Sequence, residues 1–477
     1  MFLIEREIDI PQEKGDESQL AYLERSVQDC LPANEILVRF IVSESDNKTF
    51  HCELGVLSRE QNFPVVEVQS IFDFIPRSRE NTEKFNAVLL VPTGIGAEIG
   101  GHSGDAGPVA RLLAAVCDIL ITHPNVVNAS DINELPENGL YVEGSVITRL
   151  LMGTIGLQKV RSNRVMLVID KHENKFFHEA AVNAVSAARA AFGLDCPRVV
   201  LMDKKILMHS LYSNSGRAVG KIEYFERLYE LLSRYRSIYD AVALSSVIRV
   251  PKHFHRDYYL EDMVNPWGGV EAMLTHAISL LFDVPSAHSP MLESKDVLDL
   301  DLGVVDPRKA AEVVSVTFLH SILKGLHRSP RIMTNTSTFD QPGVLSVADI
   351  SCLVIPDGCV GLPTLAALEQ GIPVIAVREN KNRMQNSLED LTFQPGKLFI
   401  VDNYLEAVGV MNAIKAGVSP ASVRRPLRHT SVSEFHPKRE LYSAVSEASR
   451  KADARKVIKL KEADPPGQEK TVSHLEE

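Results

Sequence analysis

The chain has 477 residues, 45% hydrophobic and 24% charged, and its 51 Lys and Arg against 62 Asp and Glu leave a net charge of −11. That length suggests two or three domains, and the acidic balance offers no positive field for a nucleic-acid backbone or an anionic membrane face. With a mean hydropathy of −0.03 and its longest apolar runs at 85–92 and 114–121, far short of the roughly 20 residues of a bilayer span, the chain is expected to have neither nucleic acid nor membrane as partner.

Glu5, Arg6, Glu7 and Asp9 give the N-terminus neither the apolar core of a secretion signal nor the acid-poor make-up of a transit peptide. The expected location is therefore cytoplasmic. Cys30, Cys52, Cys117, Cys196, Cys352 and Cys359 lack CxxC spacing, so they read as reduced thiols with no disulfide frame and no metal site. The composition leaves a homo-oligomer open.

From Met1 to about Phe74 the pattern favours strands, at 35–43, 50–57 and 65–71, and predicts a small α+β unit over 1–76. Pro76–Lys84 is a polar linker. Beyond it, short branched-apolar runs (87–91, 118–122, 164–169, 198–202, 241–247) alternate with helical patterns (106–116, 176–191, 221–235). Such alternation predicts a mostly parallel, doubly wound, Rossmann-like α/β sheet. A first lobe is assigned to 85–260. A second, over 261–418, has helices to Leu281, over Pro307–Leu326, Leu362–Gln370 and Leu405–Ala416, and strands at 350–355, 373–377 and 397–401. The charged remainder, 419–477, is expected to be disordered apart from a helix near 440–460.

The segment Val91-Pro-Thr-Gly-Ile-Gly-Ala-Glu-Ile-Gly-Gly-His-Ser-Gly-Asp-Ala-Gly-Pro108 follows a strand and opens a helix. Glycines there permit close backbone approach, and amides at a helix start attract anions, so Thr93, Gly94, Gly96, Gly100, Gly101 and Ser103 are expected to cradle a phosphate or carboxylate. Asp105 is read as the helix cap, with Pro108 in the first turn. The Gly94-x-Gly96-x-x-x-Gly100 spacing departs from the dinucleotide pattern, and Thr122–Asn125 supplies no ribose-binding carboxylate. A tight strand-to-helix turn is the alternative.

His123, Asn125, Asn128 and Glu143 fall at predicted strand ends, where open α/β sheets bind ligands. His123 and Glu143 are read as acid–base candidates, or as groups that hydrogen-bond a loop. A second glycine start, Gly268-Gly269, precedes Glu271, and the proline-flanked Pro285–Pro290 loop presents His288; Glu271 with His288 is the best pair of the second half. Asp306 is read as a helix cap ahead of Pro307. The His253-Phe254-His255 pair has metal spacing but reads as a solvated loop.

Further on, Ile350-Ser-Cys-Leu-Val-Ile-Pro-Asp-Gly-Cys-Val-Gly-Leu-Pro-Thr364 resembles the C-terminal nucleotide-binding lobe of glycosyltransferases with two facing Rossmann-like domains. That resemblance implies that Gly358, Gly361 and Thr364 hold a diphosphate. The sequence departs at Ala366, where the pattern carries a ribose-binding glutamate. Cys359 reads as a low-pKa thiol at a helix start or as a small buried side chain.

PTGIGAEIGG, SGDAGPVAR, DILITHPNVVNAS, LYVEG, GGVEA, the Pro285–Pro290 loop and 310–326 together resemble the family named domain of unknown function 3326, found in photosynthetic bacteria and plants, over about 86–334. The resemblance implies no activity, substrate or cofactor. The residues themselves predict an α/β protein that binds a nucleotide or a small anionic metabolite, phosphorylated or carboxylated, at glycine-rich turns. Acid–base catalysis by His123, Glu143, Glu271 and His288 is one outcome; a glycosyltransferase-like activity and a non-catalytic sensor or assembly factor are the alternatives.

Overall fold

A computed structural model describes residues 1–12, 17–46, 48–59, 68–315 and 317–435. The chain divides into two units, Met1–Pro420 and Ala421–Glu477. The expected helix at 440–460 and residues 65–67 of the strand expected at 65–71 lie outside the described residues, and 68–71 form no strand. The rest of the description concerns the first unit.

The protein is α/β, as the alternation predicts. Six parallel strands, 398–401, 374–377, 350–356, 86–89, 119–122 and 139–141, form one sheet in that spatial order. Numbered along the chain this is 6-5-4-1-2-3, a doubly wound order whose winding reverses between Asn86–Leu89 and Ile350–Pro356; ligands of such sheets sit beyond the strand ends at that reversal. The four inner strands are mostly apolar and buried along their whole length, as a sheet covered on both faces requires. Strands from either side of residue 260 share it. The chain leaves after Tyr141, builds a second parallel sheet, and returns at Ile350.

The second sheet has the order 198–201, 165–169, 241–246, 286–290. A third, seven-stranded and mostly antiparallel, joins the N-terminal strands Phe2–Pro11, Glu35–Ser45 and Thr49–Ser58 to a hairpin, Leu207–Tyr212 and Ala218–Glu223, from the middle of the chain. The helix expected over 221–235 starts at Phe225, because Lys221 and Ile222 pair with Ile4 and Leu3 in this sheet. A helix not foreseen, Gln19–Cys30, carries Leu20, Leu23 and Val27 on its buried side and is capped by Ser18.

The helix Gly268–Phe282 buries ten of its 15 residues. It packs on the hairpin and Glu35–Ser45, and also on Gly144–Leu151 and Ser286–Pro290, which accounts for an apolar composition on almost all sides. Of its polar residues, Glu271 and Thr275 fall four apart and share a face, with His276 one position further round. The helix expected over 307–326 is broken: a 3-10 turn, Ala310–Val313, is separated from Leu319–His327, and Phe318 takes a positive φ of 50°. Among the described residues no helix is long and apolar enough to cross a membrane.

Candidate functional site

The carboxyl ends of both parallel sheets open on one cavity of about 150 Å³. His123 and Pro124 follow the strand Ile119–Thr122, Glu143 follows Gly139–Tyr141, and His288 lies within Ser286–Pro290. The central helix brings Glu271, Thr275 and His276. Thr93, Ser103, Asn125 and Asn128 complete that part of the wall, so all four acid–base candidates and four of the expected binding residues meet here. His255, Glu293 and Glu312 also line it. His288 sits in a buried strand, not on a surface loop, because its neighbours pair with Ala243–Ser246.

Three hydrogen-bonded groups run in line behind the cavity. Ser246 Oγ lies 2.7 Å from His288 Nε2, and His288 Nδ1 lies 3.2 Å from Glu271 Oε1. Ser246 and His288 are buried, whereas Glu271 is partly open. The chain therefore ends on the Glu271 carboxylate, with the imidazole fixing its position.

A second pair stands opposite. His276 Nε2 is 3.0 Å from Glu143 Oε1, and the Glu143 carboxylate also accepts from the Ser145 amide at 3.1 Å and from the Ser145 hydroxyl. Burial pushes this carboxyl up, but His276 and Ser145 outweigh it and hold it below the usual carboxylate range. Glu143 is the N-cap of the helix Gly144–Leu151. His123 Nε2 accepts the Val91 amide at 3.0 Å; burial lowers this imidazole to about 4, so it is neutral at pH 7. His255, expected in a solvated loop, is buried on the helix Phe254–Leu260, 3.7 Å from Glu293, and burial lowers it as well.

The glycine-rich loop is built differently from the seat expected of it. Asp105 does not cap the helix: its Oδ1 turns back to accept the Gly100 amide at 2.9 Å and the His102 amide at 3.4 Å. Glu312 Oε1 accepts the Ser103 amide at 3.0 Å and the Tyr258 hydroxyl at 3.1 Å. Asn380 Oδ1 takes the Ile99 amide, and Asn125 donates to the Gly100 carbonyl. Several amides that were to hold an anion thus already face the protein's own carboxylates. Burial raises both carboxyls to about 7.

The glycines serve close approach. A Cβ on Gly101 would lie 2.0 Å from the Ala97 carbonyl oxygen, and one on Gly269 would lie 1.9 Å from that of Ala218. Gly94 accepts the Ala218 amide at 2.9 Å, and Gly96 abuts Val264. The helix start at Gly268 is capped by Asn265 Oδ1, 3.2 Å from the Gly268 amide. On its outer side the loop borders a separate cavity of about 200 Å³, where Gly96 meets Arg308, Lys381 and Arg383 beside Glu98 and Asp262.

Asn128 Nδ2 donates to the Tyr141 hydroxyl at 2.7 Å. Asp306 is no helix cap: it accepts the Arg308 amide at 2.9 Å and pairs with the Arg308 guanidinium. In the second glycine turn, Thr364 Oγ1 donates to the Cys359 carbonyl at 2.8 Å, Asn386 donates to the Gly358 carbonyl, and Gly361 pairs with Ile41 of the N-terminal sheet. Burial drives the Cys359 thiol well up, so it is a small apolar group.

Sequence reasoning missed His276, Glu312 and Ser246. His276 had a signal, as a polar residue five positions after Glu271 on an apolar helix. Glu312 lay within a stretch expected to be one continuous helix, and Ser246 within an apolar strand, so neither stood out.

The chain is 34% identical over 345 residues, 71% of its own length and 92% of the other's, to a Synechococcus protein named an uncharacterized lipoprotein. That relative overturns the expectation of a cytoplasmic location, which rested on charge and N-terminal composition alone. No solved structure matches the chain. Residues 86–424 match the family described as "Protein of unknown function (DUF3326)", and the chain belongs to that family.

Proposed function

We propose that the cavity binds a small ligand bearing a positively charged amine and that Glu271 and Glu312 exchange protons with it, while His123, Glu143 and His288 hold the constellation in place. The observation that carries this reading is the lining: four glutamates and four histidines converge there, with no Lys or Arg. Burial keeps His123 and His255 uncharged near neutrality, so the negative field is not cancelled, and such a confined field concentrates cations. A nucleotide or an anionic metabolite would meet carboxylates instead of amides.

An amine fits better than a metal ion, since among the described residues no three His, Cys, Asp or Glu side chains form a ligand set. His276 adds direction. With Nε2 engaged by Glu143, its Nδ1 is buried without a hydrogen-bond partner, which leaves a lone pair for a ligand N–H. Glu312, titrating at about 7, can give or take a proton at neutral pH.

Thermal unfolding with small primary amines, matched carboxylates and phosphates tests the reading. Amines should raise the midpoint, and Glu271→Gln should remove most of the rise. Stabilisation by phosphate, lost in Lys381→Ala, would put the ligand in the outer cavity beside Gly96 and overturn the cation reading.

A further inference from the structure

We infer that the ligand of this site also carries an apolar arm, a hydrocarbon group of a few carbons, housed in a second chamber at the winding reversal of the six-stranded sheet. This rests on the amine reading above and extends it to the rest of the ligand. The chamber, about 110 Å³, lies beyond the ends of the strands Asn86–Leu89 and Ile350–Pro356 and is walled by Phe40, Leu90, Ile95, Ile355, Val360 and Met384. Thr93, His123, Gly144, Ala272 and His276 line both chambers, so the two spaces share a wall, part of it made by Gly144, which has no side chain, and by the small Ala272.

Most polar groups of the second chamber are already engaged. Thr148 Oγ1 donates to the Gly144 carbonyl at 3.0 Å and Thr364 Oγ1 to that of Cys359 at 2.8 Å. Arg39 pairs with Glu5 and donates to the Gly269 carbonyl at 3.3 Å, while its Nε keeps no partner. Cys359 stays a neutral thiol. A polar occupant would therefore lose its water for few partners beyond Arg39 Nε and His276 Nδ1, whereas a hydrocarbon gains by leaving water. His276, with its Nδ1 unpartnered, stands on the shared wall, where the polar head meets the arm. Phe40 and Ile41 come from the N-terminal sheet, outside the residues matched to the family.

Calorimetric titration of the full chain with methylamine and a series of straight-chain amines from ethylamine to hexylamine tests this, with saturation-transfer NMR for the weakest. Affinity should rise about fourfold per added methylene, equivalent to about 0.8 kcal/mol each, until the chamber is full. Met384→Trp should erase that dependence and leave methylamine binding within about twofold of wild type, because the substitution fills only the apolar end. Should that variant fail to fold, the wild-type series decides alone. Methylamine binding with no gain along the series overturns the apolar arm and leaves the amine site standing. Failure of every amine to bind overturns both.

Discussion

The glycine-rich loop and the Glu/His cavity beside it start from the ends of adjacent strands, yet their polar groups are spent in opposite ways. In the loop, the amides of Ile99, Gly100, His102 and Ser103 are bonded to Asn380, Asp105 and Glu312, and the missing side chains make room for backbone. In the cavity, Glu271 is partly open and His276 keeps an unpartnered nitrogen. A glycine-rich helix start becomes a ligand seat only where its amides are left over, and here four of them are already bonded to the protein's own side chains.

The sharpest way to break this comparison is Gly269→Ala. Its Cβ would meet Ala218 backbone at 1.9 Å, and neither strand nor helix can withdraw cheaply. The variant should lose about 3 kcal/mol or more in urea denaturation; a loss below about 0.5 kcal/mol would return the glycine to a ligand-binding explanation.

Next is the pH dependence of the loop's own carboxylates. Asp105 and Glu312 titrate at about 7 in the fold but near 4 when unfolded. Between those limits the folded state keeps protons that the unfolded state has released, so stability falls as pH rises from about 4 to 7 and levels off above it. The slope is about 1.4 kcal/mol per pH unit for each carboxyl. Denaturation midpoints from pH 5 to 8 should show it, and Glu312→Gln should remove its share.

The smallest effect sharpens the cavity side. Ser246→Ala deletes the 2.7 Å bond to His288 and should cost about 1 kcal/mol of stability. If His288 holds Glu271 for the ligand, amine affinity should fall as well; unchanged affinity would make the Ser246–His288 pair purely structural.

Much of the architecture was legible in the sequence. The strands at 86–89, 119–122, 165–169, 241–246 and 350–356 and the helices at 268–282 and 404–415 follow hydrophobic period and turn chemistry, which are local. His123, Glu143 and His288 were singled out because ionisable residues near expected strand ends are few, and Glu271 because it follows a glycine helix start; all four line the cavity. Among the readings that went astray, two show the physical reason most plainly. His288 between prolines looked like a surface loop, but Ala243–Ser246 recruits it into a parallel sheet. The stretch 307–326 had helical composition, yet Asp306 closes on Arg308 and Phe318 breaks the chain direction.

Local pattern alone was enough for the α/β class, the order of most elements and a short set of ionisable candidates, because each depends on neighbours a few positions apart. Tertiary structure alone decided which of them meet. The six-stranded sheet draws its strands from 86–141 and 350–401, the hairpin at 207–223 joins strands from the first 58 residues, and Glu312 reaches Ser103 across 209 positions. Such contacts depend on how covered sheet faces pack, a choice made by burial over the whole molecule that no local pattern records.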